Sequence, residues 1–318
     1  MTNNFAKDIL LLQQAGKKWE FSTDQIPYTL LYDQSKMTKM QDNSLLSLFH
    51  CIGGINVNSQ ENSTGRPLAD ASWLENHHRA KLPERTAFAK HLAELKPKSI
   101  VDLGCATGLW LELLDSILPA DCEFIGIDSD KEALSIAADR SKAWKRKVKF
   151  LHLDLEAEVE KIPPGEMTLA FNVFPYIKKL DLFIEALRKK SPNGVLAVRQ
   201  YDGASIRFGP MDTAIRQKME LDLRIATESS QKFHHYDMDR TFTALRKSNY
   251  KRFQYNFELF ERVSPFDSDF IPYYNGTLDW TCQHISNASA VNLKKWLNAD
   301  SLMADRYFFE VDLVALLS

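Results

Sequence analysis

Val101-Asp102-Leu103-Gly104-Cys105-Ala106-Thr107-Gly108-Leu109-Trp110 decides the fold of this chain. It reads as a buried strand, a tight loop of small residues and the start of a helix. Ser99-Ile100-Val101 supplies β-branched residues for the strand, and Leu109-Trp110-Leu111-Glu112-Leu113-Leu114 supplies helical periodicity. Between them Gly104, Ala106 and Gly108 leave room for a ligand to approach the backbone. The free amides at the helix N-terminus face that ligand. The arrangement suits a nucleotide-like cofactor.

The spacing says which one. A dinucleotide fingerprint requires G-x-G-x-x-G. Counted from Gly104, the chain presents Ala106 and Leu109 at the second and third glycine positions, a poor match. Asp102-x-Gly104-x-Ala106-x-Gly108 instead resembles motif I of the class I S-adenosylmethionine-dependent methyltransferases, (D/E)-x-G-x-G-x-G, with Ala106 in place of the middle glycine. Phe124-Ile125-Gly126-Ile127-Asp128-Ser129-Asp130 follows, a short apolar strand ending in carboxylates. Asp128 lies 20 residues after Gly108, where a second strand presents an acid to ribose hydroxyls. Later strands are expected at Val148–Leu155, Leu169–Phe174 and Gly194–Gln200.

The resemblance covers residues 70–200 well and the tail more loosely. It implies an α/β fold: a Rossmann-like, doubly wound, seven-stranded sheet with its last strand antiparallel. It also implies S-adenosylmethionine as cofactor, held by Asp102, Gly104, Ala106, Gly108, Asp128, Ser129, Asp154, Leu155 and Asn172. In the family the acid after the third strand, here Asp154, takes the adenine amino group. The segment His77-His78-Arg79 precedes the core, where relatives fold over the methionine end of the cofactor. There Arg79 is a candidate partner for the carboxylate, and a solvated helix start is the other reading.

The 318 residues, 44% of them hydrophobic, suffice for a sizeable core. A net charge of −2 provides no basic face for nucleic acid, so no nucleic-acid partner is expected. Asn172-Val173-Phe174-Pro175-Tyr176 also departs from the (N/D/S)-P-P-Y run of base-modifying amino-methyltransferases: it is one residue longer and lacks the first proline. Cys51, Cys105, Cys122 and Cys282 form no C-x-x-C pair and no zinc spacing, which suits a reducing compartment. No signal peptide and no run of membrane-spanning length are evident, so a cytoplasmic chain without a membrane partner is expected.

Two regions are expected. Residues 1–95 form a helical N-terminal cap, with apolar stripes at Ile9, Leu10, Leu12 and Trp19 and again at Leu45, Leu46, Leu48 and Phe49. Within it residues 52–68 have loop composition and 69–95 are helical. Residues 96–318 form the core, with helical insertions at about 203–250 and 264–298. The alternation stops after Gln200, and Gly209-Pro210 breaks the chain. Helices are expected over Met211–Ile225 and Met238–Ser248, a sixth strand over Arg252–Val263 and a final strand over Tyr307–Leu316. Pro272 and Gly276 are expected to interrupt the helical stretch between those two strands.

Acceptor candidates come from the carboxyl ends of the strands, where open α/β sheets bind ligands. These are Tyr176 and Gln200, with Tyr32 and His235 from the flanking segments. Tyr201 and Asp202 are candidate bases, although Asp202-Gly203 also reads as an ordinary turn. No metal is expected: two oxygen ligands of a catechol-type magnesium site are missing after the fourth and fifth strands. The leading expectation is metal-independent methyl transfer to an N, O or C atom of a small-molecule acceptor. A peptide or protein acceptor and a non-catalytic binding protein are the alternatives. The aromatic-rich segment Phe266–Trp280 is a candidate homodimer surface.

Overall fold

The computed structural model describes residues 69–229, 235–299 and 305–318. The apolar stripes of residues 1–50, the loop at 52–68, Tyr32, Cys51 and His234 lie outside the described residues.

The strand-loop-helix reading holds. β1 (Ser99–Leu103) leads through the small-residue loop into α3 (Leu109–Ile117), after α1 (Ala71–Ala80) and α2 (Leu82–Glu94). β2 (Glu123–Asp128), α4 (Lys131–Ser141), β3 (Val148–His152), β4 (Met167–Phe171), α5 (Leu180–Lys190) and β5 (Val195–Tyr201) complete the alternating part. Each strand of this run pairs in parallel, with β1 between β2 and β4. All five residues of β4 are buried, as expected of a strand covered on both faces.

Residues alternate between two packed layers. Val101, Leu103, Val198 and Leu313 meet Leu180, Phe183, Ile184 and Leu187 of α5 on one face. Ile100, Leu169 and Ala197 meet Phe88 and Leu92 of α2 and Leu111 and Leu114 of α3 on the other. This is the doubly wound arrangement.

β8 (Tyr307–Leu317) enters antiparallel between β5 and β7 (Phe253–Val263). Both strands were expected. One strand more than expected is present: β6 (Arg207–Gly209) pairs with the start of β8, continuing the line of β5 after the turn at Asp202–Ile206. The sheet therefore has eight strands.

The remaining helices are α6 (Thr213–Ser229), α7 (Met238–Lys247), α8 (Ile271–His284) and α9 (Asn287–Leu297). α6, α8 and α9 share an aromatic cluster with Phe208, Phe260 and Phe308. Two expected breaks do not occur. Pro272 occupies the first turn of α8, where its missing amide costs nothing. Gly276 lies against Trp73, so close that a Cβ would approach the indole to 2.5 Å. Phe270, Tyr273 and Tyr274 are buried in the same cluster, so these aromatics of the proposed dimer surface are internal. Conversely, the single helical stretch expected over 69–95 divides at Lys81, ahead of Pro83.

Candidate active site

A cleft opens at the carboxyl ends of β1, β2, β4 and β5, roofed by α1 and by Tyr236 ahead of α7. Gly104, Ala106, Asp128, Ser129, Asp154, Leu155, Asn172, Tyr176 and Tyr201 all line it.

The motif loop is shaped by three left-handed residues, Gly104 (φ 66°), Ala106 (φ 45°) and Gly108 (φ 81°). Ala106 thus adopts the conformation a glycine would take without strain. Its amide donates to Asp128 Oδ2 at 2.8 Å, while Oδ1 accepts from the Asp130 amide at 2.9 Å. Burial pushes the Asp128 carboxyl above its usual range, against the pull of these two amides. Each oxygen retains acceptor capacity toward the cleft.

Asp130 caps α4 through the amides of Glu132 and Ala133. Asp154 Oδ1 accepts from Glu156 and Ala157 amides at 3.1 and 2.8 Å, holding the turn after β3. Asn172, at φ 56°, leaves β4 sharply, and its Oδ1 accepts from the Tyr201 amide at 3.1 Å. That bond ties the ends of β4 and β5 together beside the cleft.

The wall beyond the loop is aromatic. Tyr236 donates to the Tyr176 hydroxyl at 3.3 Å, and its ring lies 5.0 Å from that of Tyr201. Trp73 and His77 face them from α1. Arg240 of α7 fastens this wall, donating to the carbonyls of Phe174 (3.2 Å), Ile177 (2.6 Å) and Lys178 (3.4 Å).

Six predicted residues do not line the cleft. Asp102 is buried beneath the loop, and burial, then the neighbouring Asp128 charge, pushes its carboxyl well up. Its Oδ2 has no hydrogen-bond partner among the described residues. Gly108 serves packing: a Cβ there would crowd Ala137 and Trp144 at 3.2–3.3 Å. Arg79 is exposed and donates to Asn76 Oδ1 at 2.8 Å. The reason is helical phase: Trp73 and His77 are about 40° apart around α1, whereas Arg79 is about 200° from His77. Asp202 is half-buried, and its Oδ1 accepts from the Ala204 and Met238 amides at 3.4 and 3.3 Å. Its carboxyl caps the turn after β5, which corrects its assignment as a base. Gln200 is buried within β5, its Nε2 donating to the Tyr201 carbonyl. His235, at φ 70°, donates its amide to the Thr227 carbonyl, and it is the next residue, Tyr236, that reaches the cleft.

Sequence reading missed Trp73, His77 and Tyr236. A Trp73–His77 pair at i, i+4 was the available signal for the first two. Behind them sits a buried ionic cluster. Lys81 pairs with Glu310 and Asp312, Arg199 pairs with Asp312 and Glu258, and Tyr273 donates to Glu310. Burial drives Glu310 upward, whereas Lys81 and Arg199 outweigh burial at Asp312 and hold it low. Among the described residues no cluster of His, Cys, Asp or Glu could hold a metal ion.

Residues 100–194 match the family model described as a methyltransferase domain, the span from β1 to the start of β5. Residues 100–194 thus form a methyltransferase domain. The methyltransferase domain is similar to other proteins of this kind. The protein-lysine N-methyltransferase efm4 of Schizosaccharomyces pombe is 34% identical over 89 residues, covering 26% of this chain and 34% of that protein. The chain thus matches about a third of the length of that curated relative. Among solved structures, the plantazolicin methyltransferase BpumL in complex with SAH aligns over 78% of this chain and 88% of its own, at 16% identity and a TM-score of 0.44. Precorrin-6y C5,15-methyltransferase from Geobacter metallireducens GS-15 aligns over 74% and 88%, at 8% identity and a TM-score of 0.42.

Proposed function

We propose that this chain transfers a methyl group from S-adenosylmethionine to a small-molecule acceptor, without a metal ion. The observation that carries the donor is the Ala106–Asp128 latch, which places a buried carboxylate with spare acceptor capacity at the cleft wall. Asp128 suits two ribose hydroxyls, Asp154 and Leu155 the adenine end, and Gly104 with Asn172 the methionine end.

When bound, the cofactor supplies a methyl already activated by a sulfonium. The protein then has to align the acceptor in line and exclude water. Trp73, Tyr176, Tyr201 and Tyr236 do both, presenting flat apolar faces to an aromatic or otherwise planar body. With Asp202 spent on capping, Tyr201 is the candidate that orients the acceptor's departing proton. The strand ends that would carry a catechol-type magnesium set present Asn172 and Tyr201 instead. Buried free thiols at Cys105 and Cys122 fit a reducing, cytoplasmic setting.

A protein acceptor is the second reading, favoured by the similarity to efm4, named as a protein-lysine N-methyltransferase. Incubating the chain with methyl-tritiated cofactor and a cell extract, then separating by mass, distinguishes them. Label in the low-mass fraction is expected. Label confined to polypeptide would transfer the assignment to the second reading, and no label in either would contradict both.

A further inference from the structure

His77 lies deep in the cleft, 6% exposed, one helical turn after Trp73. Its ring stacks on Tyr273 at 5.0 Å and 10°, and meets the edge of Tyr201 at 6.4 Å. These contacts fix the plane of the ring. Arg85 Nη2 lies 3.4 Å from His77 Nδ1, and Arg85 Nη1 lies 2.8 Å from His78 Nδ1. A guanidinium only donates, so Nδ1 of His77 is the bare nitrogen and the proton sits on Nε2. Burial first, then Arg85, Lys81 and Arg199, holds this imidazole neutral, with its basicity well below the usual histidine value. Its Nε2 is buried and has no hydrogen-bond partner among the described residues. Such a group is a donor waiting for a ligand.

The charge behind it defines the ligand. The three cations Lys81, Arg199 and Arg85 balance the three carboxylates Glu310, Asp312 and Glu258, and Arg85 alone of the three forms no direct ion pair among the described residues, spending both amino groups on imidazoles. Its charge therefore polarises His77 and strengthens the Nε2 donor. Elsewhere the charged side chains lining the cleft are acidic: Asp128, Asp130, Asp154 and Glu156. A ligand anion is repelled there, whereas here it meets a balanced cluster and the Nε2 donor.

We propose that His77 is the binding donor for a ligand carboxylate in this cleft, with Arg85 acting through the imidazole. Two molecules can bring a carboxylate to this corner, the methionyl end of the cofactor and the acceptor. The first rests on the methyl-donor reading above.

Calorimetric titration separates them with three probes. S-adenosylhomocysteine carries the carboxylate, 5′-methylthioadenosine lacks it, and phenylacetate supplies an aromatic carboxylate to the S-adenosylhomocysteine-loaded protein. The variant is His77→Phe, in which Arg85 keeps His78 as acceptor. If the cofactor is the source, His77→Phe loses about tenfold or more for S-adenosylhomocysteine while methylthioadenosine binding is unchanged. If the acceptor is the source, both nucleosides bind as in the wild type and phenylacetate binding is lost. His77→Gln, which retains an amide donor, recovers part of either loss. A variant matching the wild type on all three probes overturns the proposal, as do equal losses for the two nucleosides, which mark a structural role. Wild-type protein that binds neither nucleoside contradicts the methyl-donor reading and removes this proposal with it.

Discussion

In the proposed cofactor site Asp128 and Ala106 act as a pair, since one residue's amide orients the other's carboxylate. Removing that carboxylate in Asp128→Ala loses charge-assisted hydrogen bonds worth about 1.5–3 kcal/mol, roughly ten- to a hundredfold in affinity. Titration of S-adenosylhomocysteine into the variant measures this, and unchanged affinity would show that the ribose ligand lies elsewhere. Ala106 itself is strained at φ 45°. Replacing it with glycine relieves roughly 1 kcal/mol. Ala106→Gly should therefore unfold at a slightly higher denaturant concentration and still bind the cofactor; a lower midpoint contradicts the strain argument. Both residues were legible in sequence, because the motif spacing identifies the loop and a carboxylate ending a short apolar strand identifies its partner. Arg79 was legible as a cation and misplaced as a ligand. Two residues along a helix reverse the face, and no feature of His77-His78-Arg79 alone sets the phase.

At the scale of elements, the α1–α2 corner stores a titration. Burial, then Arg85 and Arg140, lowers the His78 basicity from 6.5 to about 3. A histidine kept neutral in the fold is protonated in the unfolded chain below pH 6.5, so its contribution is present at neutral pH and lost as pH falls from about 6.5 toward 3. Between pH 7 and pH 5 this amounts to about 2 kcal/mol. Urea unfolding should show the wild type losing about that much more than His78→Gln over the same interval; equal losses would contradict a neutral, buried His78. α7 holds the cleft wall through one side chain. Arg240 donates to three carbonyls of the segment after β4, and Arg240→Ala leaves them without that donor, costing about 1–3 kcal/mol. Denaturation would measure the loss, and an unchanged midpoint would show that the Tyr176 wall stands without α7. This connection was invisible in sequence: Arg240 reads as one more polar residue on an amphipathic helix, and its 63-residue separation from Ile177 is closed only by the fold.

For the whole molecule, the alternation of strand and helix to Tyr201 and the two late strands were readable from periodicity, since parallel strands buried on both faces are continuous apolar runs. β6 was not, because its three residues lie beside Gly209-Pro210, whose local signal is a break, and pairing with Phe308 and its neighbours overrides it. The α8 helix was obscured for a similar reason: Pro272 and Gly276 look like breakers until the first-turn position of one and the Trp73 contact of the other are known. The half of the cleft assigned to the cofactor was therefore largely legible, being built from local motifs. Of the half assigned to the acceptor, Tyr176 and Tyr201 were legible at strand ends, whereas Trp73 and Tyr236 join them from distant segments. The central claim is that this cleft holds the methyl donor, and calorimetric titration with S-adenosylhomocysteine and with NAD in parallel tests it most directly. The account predicts saturable binding of S-adenosylhomocysteine at one site per chain and no heat from NAD. Absence of S-adenosylhomocysteine binding, or binding of NAD in its place, would contradict it.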